Sequence, residues 1–259
     1  MNGSDWHFSV AQFLLPKEGL VLSECEDAIA LSLRQGRFCV SDGATEAYDS
    51  RRWARLLSRC WAVSGHLLTK EEFEPWLSIM GERLQRRWSR KTLPWYAEEK
   101  ARGGAFAAFV GVAFIESDDR LIWQAVALGD SCLVQVRGGA IVQALPISEP
   151  EAFGYHPTLI PSNVQRQQGI REQFTVAMGS AAHQDSFWLL TDAIAAWYLR
   201  MAAQDPSRID ELAQLLDSHD TSGFERFVER ERAEKSLRND DVAVLRITID
   251  EPQILIAAV

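Results

Sequence analysis

The chain is poor in cysteine. Only Cys25, Cys39, Cys60 and Cys132 occur in 259 residues, widely spaced, with no C-x-x-C pair and no Cys/His cluster. That spacing excludes a zinc ribbon or a disulfide framework and fits reduced thiols packed among apolar neighbours. Long hydrophobic runs are also missing: the longest, around 104–115, falls well short of the roughly 20 residues needed to span a bilayer. The first residues, MNGSDWHFSVAQFLLPKEG, carry Asp5 and His7 and have no basic stretch ahead of an apolar core, so no signal peptide is expected. These features predict a cytoplasmic protein. Bases are scarce as well, 27 against 36 acids, for a net charge of −9. An acidic balance argues against nucleic acid or an anionic membrane as the main partner. Fixed-period repeats, a C-x₅-R or G-x-S-x-G nucleophile motif, and a strand followed by a glycine fingerprint are all lacking. Covalent nucleophilic catalysis and a doubly wound nucleotide fold are therefore not expected.

With 47% hydrophobic side chains, a chain of this length buries about 75% of its unfolded surface without a structural metal. One domain over 1–259 is expected, with 89–103 an insertion and 146–185 a flap, because their aromatic and aliphatic residues need something to pack on. Trp53, Leu56, Leu57, Cys60 and Trp61 recur at helical spacing, as do Phe73, Trp76, Leu77, Met80, Leu84 and Trp88, and then Ile194, Trp197, Tyr198 and Met201. Ser207 with Asp210 and Ser222 with Glu225 stand at capping-box spacing and predict two more helix starts. Apolar runs at 28–33 and 37–41 flank Gln35-Gly36 as a hairpin. Runs at 105–115, 120–128, 131–136 and 140–144 form a meander, with Asp118-Asp119 and Gly138-Gly139 as turns. Further strands are predicted at 186–190 and 241–249. Strands in hairpins interrupted by a block of helices indicate antiparallel sheets with helices outside.

Several acids sit at the ends of these strands: Glu26 and Asp27 before AIALSL, Asp42 after RFCVS, Asp130 after WQAVALG, Asp192 after FWLLT, and Asp240 before VAVLRI. Each alone fits a turn or a cap. Together they fit a cleft built from rigid strand ends, and converging carboxylates are tolerated only beside cations. Oxygen donors without His or Cys select hard ions such as Mg²⁺ or Mn²⁺.

S-E-C-E-D-A at 23–28, S-D-G at 41–43, G-G-A-F at 103–106, A-L-G-D-S at 127–131, W-L-L-T-D-A at 188–193 and R-N-D-D-V-A-V-L at 238–245 follow one another in this order. In that order they resemble the signatures of the metal-dependent PP2C-type (PPM) serine/threonine phosphatases, and S-D-G-A-T-E-A-Y-D-S-R-R-W-A is closer to the divergent bacterial branch. The resemblance implies an α+β fold, a four-layer α/β/β/α sandwich of two antiparallel sheets. It implies two Mg²⁺ or Mn²⁺ ions, with a weaker third, that activate water for hydrolysis of phosphoserine or phosphothreonine. By similarity Asp42 would bridge both ions, Gly43 would offer its carbonyl, and Glu26 would reach one ion. Asp192 and Asp240 would hold the other, Asp27 would lie in the same acidic shell, and Asp130 would join Asp192 at the third. Asp42 and Asp192 would be the catalytic pair, acting through the activated water. Asp241 is expected to be a solvent-facing neighbour.

The resemblance also exposes departures. The arginine that the family often places four residues before its metal-binding glutamate is Leu22 here, so phosphate would be held more weakly or from elsewhere, with Lys17, Arg51, Arg52 and Arg102 as candidates. Ala193 replaces the usual glycine after the later aspartate, and the glycine-rich turn is shortened to D-G-A-T. Of five histidines, His156 and His183 fall where a flap would overhang the site. The implied partner is a phosphoprotein, the product of a cognate Ser/Thr kinase. The alternative is a catalytically weak or inactive binding module on the same fold.

Overall fold

The computed structural model describes residues 6–45, 47–64, 69–90, 100–117, 120–154 and 157–250. The strands are β1 (His7–Leu15), β2 (Ala28–Ser32), β3 (Arg37–Gly43), β4 (Phe106–Ser117), β5 (Arg120–Leu128), β6 (Cys132–Arg137), β7 (Ala140–Leu145), β8 (Ile160–Pro161), β9 (Thr175–Ala181), β10 (Ser186–Leu190) and β11 (Val242–Asp250). The longer helices are α1 (Ser50–Val63), α2 (Lys70–Trp88), α3 (Asp192–Gln204), α4 (Pro206–Ser218) and α5 (Thr221–Ala233). One sheet runs β1-β11-β10-β6-β7. The other runs β2-β3-β4-β5-β9, with β8 against β4, and every pairing is antiparallel.

Period-2 alternation divides each strand between two cores. In the first sheet Trp188, Leu190, Val242 and Val244 face Ile194, Trp197, Leu212 and Phe224 of α3–α5. In the second, Cys39, Ala107, Phe109 and Val126 face Trp53, Leu57, Trp61, Phe73 and Leu77 of α1 and α2. The intervening positions, Phe38, Val40, Val110, Val112, Phe187, Leu189, Leu245 and Ile247, close on one another between the sheets. The result is the expected four-layer α/β/β/α sandwich. Among the described residues, no helix is long and apolar enough to cross a membrane.

Local physics accounts for most element boundaries. In the Gln35-Gly36 hairpin, Gly36 takes a left-handed φ of 58° that an L-residue adopts only with strain. Gly138 and Gly139 are both left-handed in the β6–β7 turn, as a tight primed hairpin turn requires. The tryptophan stripe buries Trp53, Leu57 and Trp61 completely on α1.

Three expectations need correction. The capping boxes at Ser207 and Ser222 are not used. Pro206 begins α4 after Asp205, because proline's fixed φ suits a first helical turn, and Asp220 caps α5 by accepting from Gly223 N at 2.8 Å. The expected flap 146–185 contains β9, which pairs with β5 along Leu121–Ala127 as the edge of the second sheet, so 175–181 is sheet and not flap. A strand not among those predicted is β1, paired with β11 from His7↔Asp250 to Leu15↔Val242. His183 lies at the far end of β10 from Asp192, stacked on Trp6 at 4.3 Å with its Nδ1 2.6 Å from the Asp250 carbonyl, away from the acidic strand ends. His156 and the Asp118-Asp119 turn lie outside the described residues.

Candidate metal centre

Asp42 ends β3, directly opposite Ala108 of β4. The turn after β5 comes back onto that same pair. Gly129 has φ 101°, and a Cβ on it would sit 2.5 Å from the Ala108 Cβ, so only glycine permits the approach. The next residue is Asp130, delivered from the turn that joins the two sheets. Asp192 arrives from the other sheet as the first residue of α3, where helix N-terminal amides favour a carboxylate. One oxygen of each of Asp42, Asp130 and Asp192 lies within 4.8 Å of the other two.

The remaining acids are set by a second group of hydrogen bonds. Thr191 locks the end of β10 to the start of β11: its N donates to the Ala243 carbonyl at 3.2 Å, and its Oγ1 accepts from Ala243 N at 2.9 Å. That lock holds Asp240 beside Asp192. Asp241 is buried at 5% exposure. Its Oδ1 accepts from Lys17 N at 2.8 Å and its Oδ2 from Glu26 N at 2.7 Å. The expected solvent-facing role for Asp241 is thus wrong. Because β1 and β2 are joined by a long excursion, the loop needs an anchor, and Asp241 clamps its two ends where they set Glu26 and Asp27.

Gly43 sits in a tight backbone cradle. A Cβ there would lie 2.8 Å from the Ser50 carbonyl carbon and 3.0 Å from the Glu26 oxygen. Its neighbours are therefore the strand end carrying Asp42, the loop carrying Glu26 and the start of α1.

Electrostatics mark the cluster as unbalanced. Burial first, then repulsion from neighbouring carboxylates, raises Asp42 and Asp27 well above the ordinary aspartate range. Asp130 is pushed up to about 7 by burial and by Asp192. Asp192 is raised by burial against the opposing pull of Arg238, and Glu26 is raised by burial with Thr45 and Lys17 opposing. Both Asp27 oxygens are buried without a well-formed hydrogen bond. A buried, orphaned carboxylate beside an all-oxygen cluster fits hard divalent cations, and among the described residues no histidine or cysteine joins the group.

The phosphate candidates separate. Lys17 stays near Glu26, its Nζ donating to Thr45 Oγ1 at 3.2 Å. Arg51 and Arg52 open α1 and line a groove between α1 and α2, with Arg52 paired to Asp49. Arg102 is exposed, and Leu22 is 55% exposed. The guanidinium that meets the cluster is Arg238, the first residue of the R-N-D-D-V-A-V-L motif, to which the resemblance assigned no role. It pairs with Asp192 Oδ2 and lies 3.5 Å from Asp240 Oδ2. Its only sequence signal is its place two residues before Asp240.

A two-sheet sandwich whose strand ends gather carboxylates from both sheets defines an α/β/β/α protein with an acidic cluster suited to cations. The chain belongs to the protein phosphatase 2C family, whose profile matches residues 22–239. Among solved structures, the catalytic domain of the serine/threonine phosphatase PstP with two manganese ions superposes at a TM-score of 0.59 with 14% identity, covering 94% of this chain and 98% of that one. Stp1 from Staphylococcus aureus gives 0.59 at 13%, over 94% and 96% of the chains. PppA, a regulatory component of T6SS in Pseudomonas aeruginosa, gives 0.56 at 18%, over 94% and 98%. No curated protein sequence matches the chain. At such identities the superpositions establish the fold.

Proposed function

We propose that the protein is a Mg²⁺- or Mn²⁺-dependent phosphatase of phosphoserine and phosphothreonine in proteins. The observation that carries this reading is the convergence of Asp42, Asp130 and Asp192 within 4.8 Å, with Asp27 buried in the same cluster and lacking a well-formed hydrogen bond. Asp42, Asp192, Asp240, Glu26 and the Gly43 carbonyl would hold two ions, and Asp130 with Asp192 a weaker third. When bound, such ions lower the pKa of a coordinated water and offset charge on the phosphoryl oxygens.

The chain's own residues supply the rest. Asp42 and Asp192, fixed at strand and helix ends in opposite sheets, set the geometry of the reacting centre. Asp241 holds the Glu26 loop against it. Arg238 has the only guanidinium in contact with the carboxylates among the described residues. With Asp192 engaged as a metal ligand, the Arg238 side chain would be free to grip the substrate phosphate, the role left open by Leu22. Hydrolysis then needs no covalent enzyme intermediate. Purified protein should release phosphate from a phosphothreonine peptide with Mn²⁺, and Asp42→Asn or Asp192→Asn should abolish this. Turnover that survives both substitutions and EDTA sinks the proposal.

A second reading is a catalytically weak or inactive binding module, favoured by exposed Leu22 where the family often has arginine. Mn²⁺ binding without turnover on any phosphopeptide would select it.

A further inference from the structure

In a chain with nine more acids than bases, one face runs the other way. Arg51, Arg55 and Arg59 form an i, i+4, i+8 stripe on α1 beside Arg52. Arg83 and Arg87 repeat the spacing on α2. Together with Asp49, Leu56 and Leu84 these six arginines line a cavity of about 500 Å³. Arg83, Arg86, Arg87 and Arg90 line a second hollow of about 470 Å³. Of these eight arginines only Arg52 and Arg86 have carboxylate partners among the described residues, Asp49 and Glu82. Arg51 Nε is buried with no hydrogen-bond partner. Like charges at i, i+4 destabilise a helix. Facing stripes without counter-ions compound that repulsion, and a bound anion relieves it.

The groove has a defined position. Trp88 Nε1 donates to Asp49 Oδ2 at 2.8 Å at one end, and Arg83 reaches Cys60 Sγ at 3.8 Å further along. The Asp49 end adjoins the metal centre, because Ser50 packs against Gly43. We propose that the α1–α2 groove docks an acidic segment of the phosphoprotein substrate, with carboxylates or further phosphates flanking the residue to be dephosphorylated. This rests on the phosphatase reading above. The stripe from Arg51 to Arg59 extends about 12 Å along the helix, which matches roughly four residues of extended peptide. Guanidinium forks pair bidentately with carboxylates and phosphates. Leu56 and Leu84 offer an apolar floor for the stems of glutamate side chains. A small free anion would use only part of this length.

The test separates docking from catalysis. A fluorescein-labelled, unphosphorylated Glu/Asp-rich peptide is titrated by anisotropy in EDTA against wild type and against two double variants, Arg55→Gln with Arg59→Gln and Arg83→Gln with Arg87→Gln. Circular dichroism and the Mn²⁺-induced shift in Tm confirm folding. Wild type should bind the acidic peptide and not a neutral one, and each variant should bind it at least tenfold more weakly. With Mn²⁺ present, the ratio of kcat/KM for a Glu-flanked over a Gly-flanked phosphopeptide should fall at least tenfold in the variants, through KM. Equal binding by wild type and variants, or an unchanged ratio, overturns the proposal. So does preference for triphosphate, an oligonucleotide or anionic vesicles over the acidic peptide. Arginine-dependent peptide binding without turnover on either phosphopeptide supports the groove and overturns the catalytic reading instead.

Discussion

Loading the acidic cluster with Mn²⁺ should weaken the dependence of stability on pH. Without cations, Asp130 has a folded pKa of about 7, raised by burial and by Asp192. The unfolded chain releases that proton near the ordinary aspartate value. A carboxyl raised in the folded state contributes stability that is fully present below the unfolded pKa and is lost as pH rises through 7. The loss amounts to about 4 kcal/mol for this group alone. Asp42 and Asp27 are raised in the same direction and add to it. The metal-free protein should therefore melt several degrees lower at pH 8 than at pH 5.5. Mn²⁺ at 100 times its Kd adds about 2.7 kcal/mol. At roughly 2–4 °C per kcal/mol for a chain of this size, Tm should rise by roughly 5–10 °C at pH 8. At pH 5.5 protons compete for the same oxygens and the rise should be smaller. Asp42→Asn sharpens the contrast: it removes a buried charge, so the metal-free variant should melt higher than wild type while losing most of the Mn²⁺ response. Differential scanning fluorimetry across pH, with and without Mn²⁺, reads all of this. A wild-type Tm unmoved by Mn²⁺ at pH 8, or an Asp42→Asn variant stabilised by Mn²⁺ as much as wild type, would refute the reasoning.

Other perturbations have distinct signatures. Arg238→Met should raise KM for a phosphopeptide about tenfold or more while tightening Mn²⁺ binding, because the guanidinium and the ions compete for Asp192; calorimetry with steady-state kinetics tests both. Asp241→Ala orphans Lys17 N and Glu26 N, and two lost charge-assisted hydrogen bonds should cost about 2–4 kcal/mol, read by urea denaturation, together with most Mn²⁺ affinity. Arg137→Ala leaves the Asp185 carboxylate buried without the guanidinium that holds it at 2.7 Å, a loss of about 3–5 kcal/mol. Asp185 is held below the ordinary range, chiefly by hydrogen bonds that outweigh its burial. Its contribution should be present above about pH 4 and vanish as pH falls through its lower folded pKa, so in acid the variant and wild type should converge.

Much of the scaffold was legible because its signals are local. The β2–β3 and β6–β7 hairpins announce themselves through glycine turns, and α1 through its tryptophan spacing. β1 was not, because its partner β11 lies at the other end of the chain, with His7 opposite Asp250, and no turn joins them. β9, TVAMGSA, is small-residue and half-exposed at a sheet edge, so it lacks the alternation that marks a strand. In the candidate site, the acids at strand ends could be named from motif order. The difference between Asp240 and Asp241 could not be resolved beyond that order, since the buried clamp made by Asp241 depends on backbone amides more than two hundred residues away. Arg238 escaped for the same reason: its pairing with Asp192 spans 46 positions. The arginine stripes are visible along α1 and α2 separately, but the sequence does not say that they face each other.

The division of the acidic cluster between two sheets also constrains kinetics. Asp42 belongs to β3, Asp192 and Asp240 flank β10 and β11, and Asp130 lies in the turn between the sheets. No cation can meet all of them until the sheets have closed over Phe38, Val110, Leu189 and Leu245. The ions should therefore engage after the folding transition state, as interactions formed late do. Mn²⁺ should slow unfolding in stopped-flow denaturant jumps in proportion to its stabilisation and leave the refolding rate unchanged. The bound cations would then act as a latch on the closed sandwich, extending its lifetime without helping it form.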